Sequence, residues 1–202
     1  MIAVTLGARR GVYSVKPMAI NVRRFSVELF GKTMLLHGSV LSARRLSDQV
    51  NESDPYLVMT EIQSYPYMNE APMGLDQHAR GLVNKDMIVM VAEVESAGVE
   101  GSVAPEMSVS KVPHRILVYS EHFAISADIH LAEGADLEQF LAVSQGRFVA
   151  VTNATVTPTT PGTRLAAFHR SFLLMNRDHI AYLGTMAANQ TGSVPMVAEN
   201  VG

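Results

Sequence analysis

The chain has 202 residues, 48% of them apolar and 17% charged, with 19 acidic and 16 basic side chains and no cysteine. That size allows one or two domains, each with its own core. The lack of cysteine excludes a disulfide framework, a thiolate metal site and a cysteine nucleophile, and the sparse charge predicts a small, neutral, Met-rich surface that suits a covering partner.

Residues 1–23 read as a basic arm. Through Arg45 the chain carries eight basic residues against the single acid Glu28, a net +7, while the remainder carries −10. Such segregation steers a polyanion, a neighbouring subunit or the chain's own acidic body toward the arm. The arginine pairs Arg9-Arg10, Arg23-Arg24 and Arg44-Arg45 are the candidate polyanion- or partner-binding residues. Basic pairs attract phosphate without reading base sequence, and only Tyr13 and Phe25 lie near them to stack on a base. The start lacks the long apolar stretch of a secretory signal, and the expected location is the cytoplasm.

Residues 24–95 read as a first β module. "RFSVELF" alternates Phe25, Val27 and Leu29 on one face, Gly31-Lys32 makes a hairpin connection, and "TMLLHGSVLSA" continues as a longer strand. A short helix follows, with Ser47 as the expected N-cap and Asp48 in its first turn. After the strand "YLVMTEIQ", the loop "SYPYMNEAPMGLDQ" (64–77) holds Tyr65, Tyr67, Met68 and Met73. Tyr and Met are frequent at interface centres, so these four are the candidate protein-interface residues, unless the loop folds onto its own module. "ARGLVNKDMIVMVAEV" then reads as two strands folded at Asn84-Lys85-Asp86. Its longest unbroken apolar run, Met87 to Ala92, falls far short of the ~20 residues of a membrane-spanning helix.

Residues 96–113 are rich in Gly, Ser, Ala and Pro and read as a linker, with Val103, Met107 and Val109 alternating as in an edge strand. Residues 114–185 read as a second module of the same order, with a helix from about Asp136 to Ser144, and residues 186–202 as a linker-like tail. The order is not the only echo. "VNKD" in "VNKDMIVMV" (83–91) returns as "MNRD" in "MNRDHIAYL" (175–183), 92 residues on, and the same offset carries Thr60 onto Thr152. Upstream, "HGSVLSA" (37–43) falls on "HFAISAD" (122–128) at an offset of 85. The expectation is therefore a mainly β chain, a tandem duplication of a small five-stranded barrel-like or bent-sheet module with one short helix per copy. Asn and Asp tolerate left-handed angles and bond their own backbone, so hairpin geometry accounts for the echoed Asn and Asp without a ligand.

The layout, a strand with "HGSV", a later "TEIQ" strand and a hairpin after "VNKD", distantly resembles the small Sm-like or SH3-like barrels in topology. That resemblance implies a compact five-stranded module. Where the second Sm motif would want Arg-Gly, this chain has Asn84-Lys85, so no binding residue is carried over.

No catalytic constellation emerges from the seven histidines or from the many Ser and Thr residues. There is no Gly-x-Ser-x-Gly elbow and no phosphate loop. His122, Asp128 and His130 share one strand face, and a metal site there is weighed against the usual solvated strand face. The chain is therefore expected to be no enzyme, to carry no cofactor and no metal, and to serve as a structural or adaptor subunit. It would self-assemble or sit in a larger complex, with polyanion binding through the arginine pairs as the alternative.

Overall fold

The computed structural model describes residues 21–67, 76–94 and 110–186. Arg9, Arg10, Met68, Met73, the expected edge pairing of Val103, Met107 and Val109, and most of the tail lie outside them. The elements in chain order are β1 (Arg23–Phe30), β2 (Met34–Ser42), α1 (Leu46–Val50), β3 (Tyr56–Pro66), β4 (Asp76–Asn84) and β5 (Met90–Glu93). They continue as β6 (Lys111–Ser120), β7 (Phe123–Ala132), α2 (Leu137–Val143), β8 (Phe148–Pro158), β9 (Phe168–Asn176) and β10 (Ile180–Thr185). β6 thus begins three residues inside the expected linker.

The ten strands of the described residues pair antiparallel in one sheet of order β10-β6-β7-β8-β9-β5-β1-β2-β3-β4. The mainly β reading with two short helices holds. Among the described residues the sheet is not closed, however, and β4 and β10 are its two edges. The segment at Asn84-Lys85-Asp86 is not a hairpin either. It is a 3-10 turn, Lys85–Met87, that carries the chain from β4, paired among the described residues with β3 alone, to β5, paired with β1 and β9.

Strand alternation builds the interior. In β7, Phe123, Ile125, Ala127, Ile129 and Leu131 point inward while Ser126, Asp128 and His130 point out. In α1, Leu46 and Val50 are one turn apart and bury together, but the N-cap is Arg45, without a side-chain cap, rather than Ser47. In α2, Asp136 is the N-cap and its carboxylate accepts from the Gln139 amide at 2.7 Å.

Local geometry recurs between the halves. The β2–β3 register slips between His37 and Ser39, and the β7–β8 register slips between Ser126 and Asp128. The next strand carries a left-handed residue beside each slip, Glu61 at φ 54° and Asn153 at φ 50°. Ser39 faces Thr60, and Asp128 faces Thr152. The slips match His37 with Ser126, not with His122, so the upstream offset is 89 residues (126 − 37) rather than 85. At the first slip β2 and β3 approach so closely that a Cβ on Gly38 would lie 2.9 Å from the Thr60 carbonyl oxygen.

The buried side chains form two clusters, and the β5–β9 pair divides them. Leu173, Met175, Met90 and Ala92 join the second half's core, whereas Leu174 and Val91 point the other way into the first half's core. Both faces of the sheet are therefore dry at this pair, and the two interiors lie on opposite sides of it.

Candidate interaction surfaces

The seam between the halves is held by a backbone ladder and by side chains from both halves. Its backbone ladder sets Met90 opposite Met175, Val91 opposite Leu174 and Ala92 opposite Leu173. Around it, Phe30 stacks on Phe168 with centroids 4.9 Å apart, and Arg170 reaches Glu28 at 3.1 Å while lying over the Phe168 ring. A stacked aromatic pair adds about 0.5–1.5 kcal/mol beyond its buried area. Asn51, the residue that ends α1 as its C-cap, closes a two-way bond with β8, accepting from the Phe148 amide at 2.7 Å and donating to its carbonyl at 3.0 Å.

The echoed Asn-basic-Asp motif lies beside this seam. The Asn84 side-chain oxygen accepts from the Asp86 amide at 2.9 Å and that of Asn176 from the Asp178 amide at 3.1 Å, so each opens a 3-10 turn as an Asx cap. The basic residue caps the preceding helix region. Lys85 donates to the Glu52 carbonyl at 2.9 Å, and Arg177 to the Leu141 carbonyl at 2.8 Å and to that of Ser144. Cations are favoured where helix carbonyls end. Burial pushes the Lys85 ammonium below its ordinary range, partly opposed by Asp54 and Glu52. Asn176 does more than Asn84 within the chain. It is buried, and its amide donates to the Ile88 carbonyl at 2.8 Å and the Lys85 carbonyl at 3.2 Å across the seam. Arg147 pairs with Asp86 and with Asp178, at 3.2 Å for the latter, so both echoed aspartates share one guanidinium.

Of the arginine pairs, Arg9-Arg10 lies outside the described residues, and the β1–β2 ladder sets Arg23 opposite Ser42, two residues before Arg44. Arg23 and Arg24 are exposed neighbours on β1; Arg24 bonds the Ser39 hydroxyl at 3.0 Å and pairs with Glu61. Arg44 pairs with Glu52 at 3.4 Å, and Arg45 begins α1. Glu61 and Glu52 thus neutralise part of the charge of Arg24 and Arg44.

The two tyrosines separate. Tyr65 is exposed on β3 and donates to the Gln63 side chain at 2.7 Å, on the rim of an open groove of about 390 Å³ also lined by His37, Leu35 and Arg164. Tyr67 is not an exposed contact residue. It is buried against Phe123, its hydroxyl donates to the Gly31 carbonyl, and burial pushes its phenol far above the ordinary range. Its carbonyl accepts from the Arg164 amide at 2.7 Å, so it fastens the two halves together.

Among the described residues no three His, Asp or Glu side chains are arranged to hold a metal. His122 meets Thr160 at 2.9 Å and His130 meets Thr152 at 2.8 Å, while Asp128 is held by Arg115 at 3.1 Å and Asn153 at 3.0 Å. No helix among the described residues is long and apolar enough to cross a membrane.

Comparison of the chain with family models, curated proteins and solved structures gives no match in any of the three. Sequence reasoning missed the seam residues. A signal was available, for "IVMVA" (88–92) and "FLLM" (172–175) are unbroken apolar runs. Such runs mark strands buried on both faces, whereas alternation marks strands with one wet face.

Proposed function

We propose that the protein is a non-catalytic structural or adaptor subunit, two copies of one five-stranded module of Sm/SH3-like layout, that assembles with further copies of itself. The observation that carries this is the seam. There the fourth strand of one half pairs with the fifth strand of the other, and both faces are buried as in an interface between subunits. The recurrence of register slip, left-handed residue and Asn-capped turn in the two halves supports the duplicated module. Light scattering of the full chain at micromolar concentration and low salt tests the reading. A mass that is a multiple of 21.9 kDa is expected, and a single species of that mass overturns it.

The charge of the first 45 residues supports a second reading, polyanion binding through Arg9, Arg10, Arg23, Arg24, Arg44 and Arg45. On that reading affinity for a generic oligonucleotide falls steeply with salt and is lost when Arg23 and Arg24 become Ala.

A further inference from the structure

We infer that β4 of one copy pairs antiparallel with β10 of a second copy, head to tail, with Leu82 opposite Leu183, so that the sheet continues from chain to chain. This names the partner and the contact for the self-assembly proposed above and rests on that reading.

In each half the first strand pairs with the fifth, β1 with β5 and β6 with β10, and the rest follow in sequence. The seam joins the fourth strand of the second half, β9, to the fifth strand of the first, β5. Among the described residues, the strands left without a neighbour are the fourth of the first half and the fifth of the second. They are the same two kinds of edge that the seam has already joined. Transferring the seam register by 92 residues sets Val83 opposite Tyr182, Leu82 opposite Leu183 and Gly81 opposite Gly184.

Exposure at these positions agrees with a missing cover. Leu82 is 66% exposed, while Leu174, at the corresponding place in β9, is fully buried. Tyr182 is 57% exposed where Met90 in β5 is fully buried. The cover extends beyond the ladder. Asn51, just after α1, grips Phe148 at the seam, and at the same 92-residue offset the residues at the free ends are Val143, 76% exposed, and Tyr56, 48% exposed. An apolar pair there replaces a hydrogen-bonded one. Asn84 would likewise present its amide to the Arg177 and Ile180 carbonyls of the second copy, as Asn176 does to Lys85 and Ile88.

The edges are also unguarded where the register places the contact. Sheets commonly protect an edge with charge or proline. β4 carries Asp76, His78 and Arg80 in its first part but reads Gly-Leu-Val at 81–83, and β10, "IAYLGT", has neither charge nor proline. A contact between unlike edges propagates, closing into a ring when the rotation permits and otherwise growing as a filament.

The natural chain has no cysteine, so Leu82→Cys/Leu183→Cys introduces the only thiols. Opposed Cα atoms of antiparallel strands lie about 4.5–5.5 Å apart, within disulfide reach. Mild oxidation of the full chain should link copies into multiples on a non-reducing gel. Leu82→Cys/Tyr182→Cys, shifted by one residue and so to the opposite face, should link roughly tenfold less. Leu82→Arg, at a position already exposed in the single chain, should reduce the assembled mass to one chain. Linked dimers from Leu82→Cys alone would mean that like edges meet, which overturns the inference. An assembly that survives Leu82→Arg and gives no link in the Leu82→Cys/Leu183→Cys chain overturns the edge pairing but leaves self-assembly standing. A wild-type chain of single mass overturns both.

Discussion

Asn176 carries two duties on one side chain. Its oxygen caps its own turn and its amide satisfies two carbonyls of the other half. Buried acceptors left without a donor cost about 1–3 kcal/mol, so Asn176→Ala should destabilise the chain by roughly 2–3 kcal/mol in urea unfolding. A loss below about 0.5 kcal/mol would mean that the seam does not depend on this amide. The first duty was legible, because Asn followed two residues later by Asp is local turn chemistry. The second was not, because a donor's distant acceptor leaves no mark on sequence spacing. Tyr67 illustrates the same limit. Its neighbours Pro66 and Met68 suggest an exposed loop, and only the packing of Phe123 from the other half makes it a core residue.

At the scale of elements, most strands were readable from alternation, and α2 from Asp136 at its start. The connection from β4 to β5 was misread as a hairpin because turn residues specify a reversal without specifying which strands will pair. The left-handed bend at Glu61 was hidden as well, since glutamate is no marker for that conformation, whereas Asn153 is of a type that tolerates it. On the outer face of the second half, Asp128 of β7 ties three strands together through Arg115 of β6 and Asn153 of β8. Burial raises the affinity of this carboxyl for its proton, but the hydrogen bonds from Asn153 and Arg115 outweigh that and hold it below the usual carboxylate range. A carboxyl held low in the folded state lends stability above its unfolded pKa of about 4 and loses it as pH falls. Acidification through that range should therefore destabilise the wild type more than Asp128→Asn, followed by thermal melts from pH 6 to 3. Parallel curves for the two proteins would remove Asp128 from the account.

For the whole molecule, the expected two-module plan and the observed single sheet differ in one physical respect. Modules separated by a linker unfold independently when few contacts join them. Here β5 and β9 contribute to both clusters, so losing either half strips one dry face from the strand at its border. The chain should consequently unfold in one transition, with circular dichroism and tyrosine fluorescence superimposing across a urea titration. Two resolved steps would mean that the halves stand alone. The Gly, Ser, Ala and Pro content of 96–113 places the second module's start at 114, yet Pro113 sits in β6 opposite His130, because composition does not register ladder pairing.

The strand pair that divides the two cores also has no wet side. Along 90–92 and 173–175, successive residues feed opposite interiors, so a change of size or polarity there cannot turn toward water and is felt at once by one half or the other. Tolerance to mutation should thus be lowest at the waist of the molecule rather than at the centre of either half. Drift in the sequence would be expected to spare that waist longest.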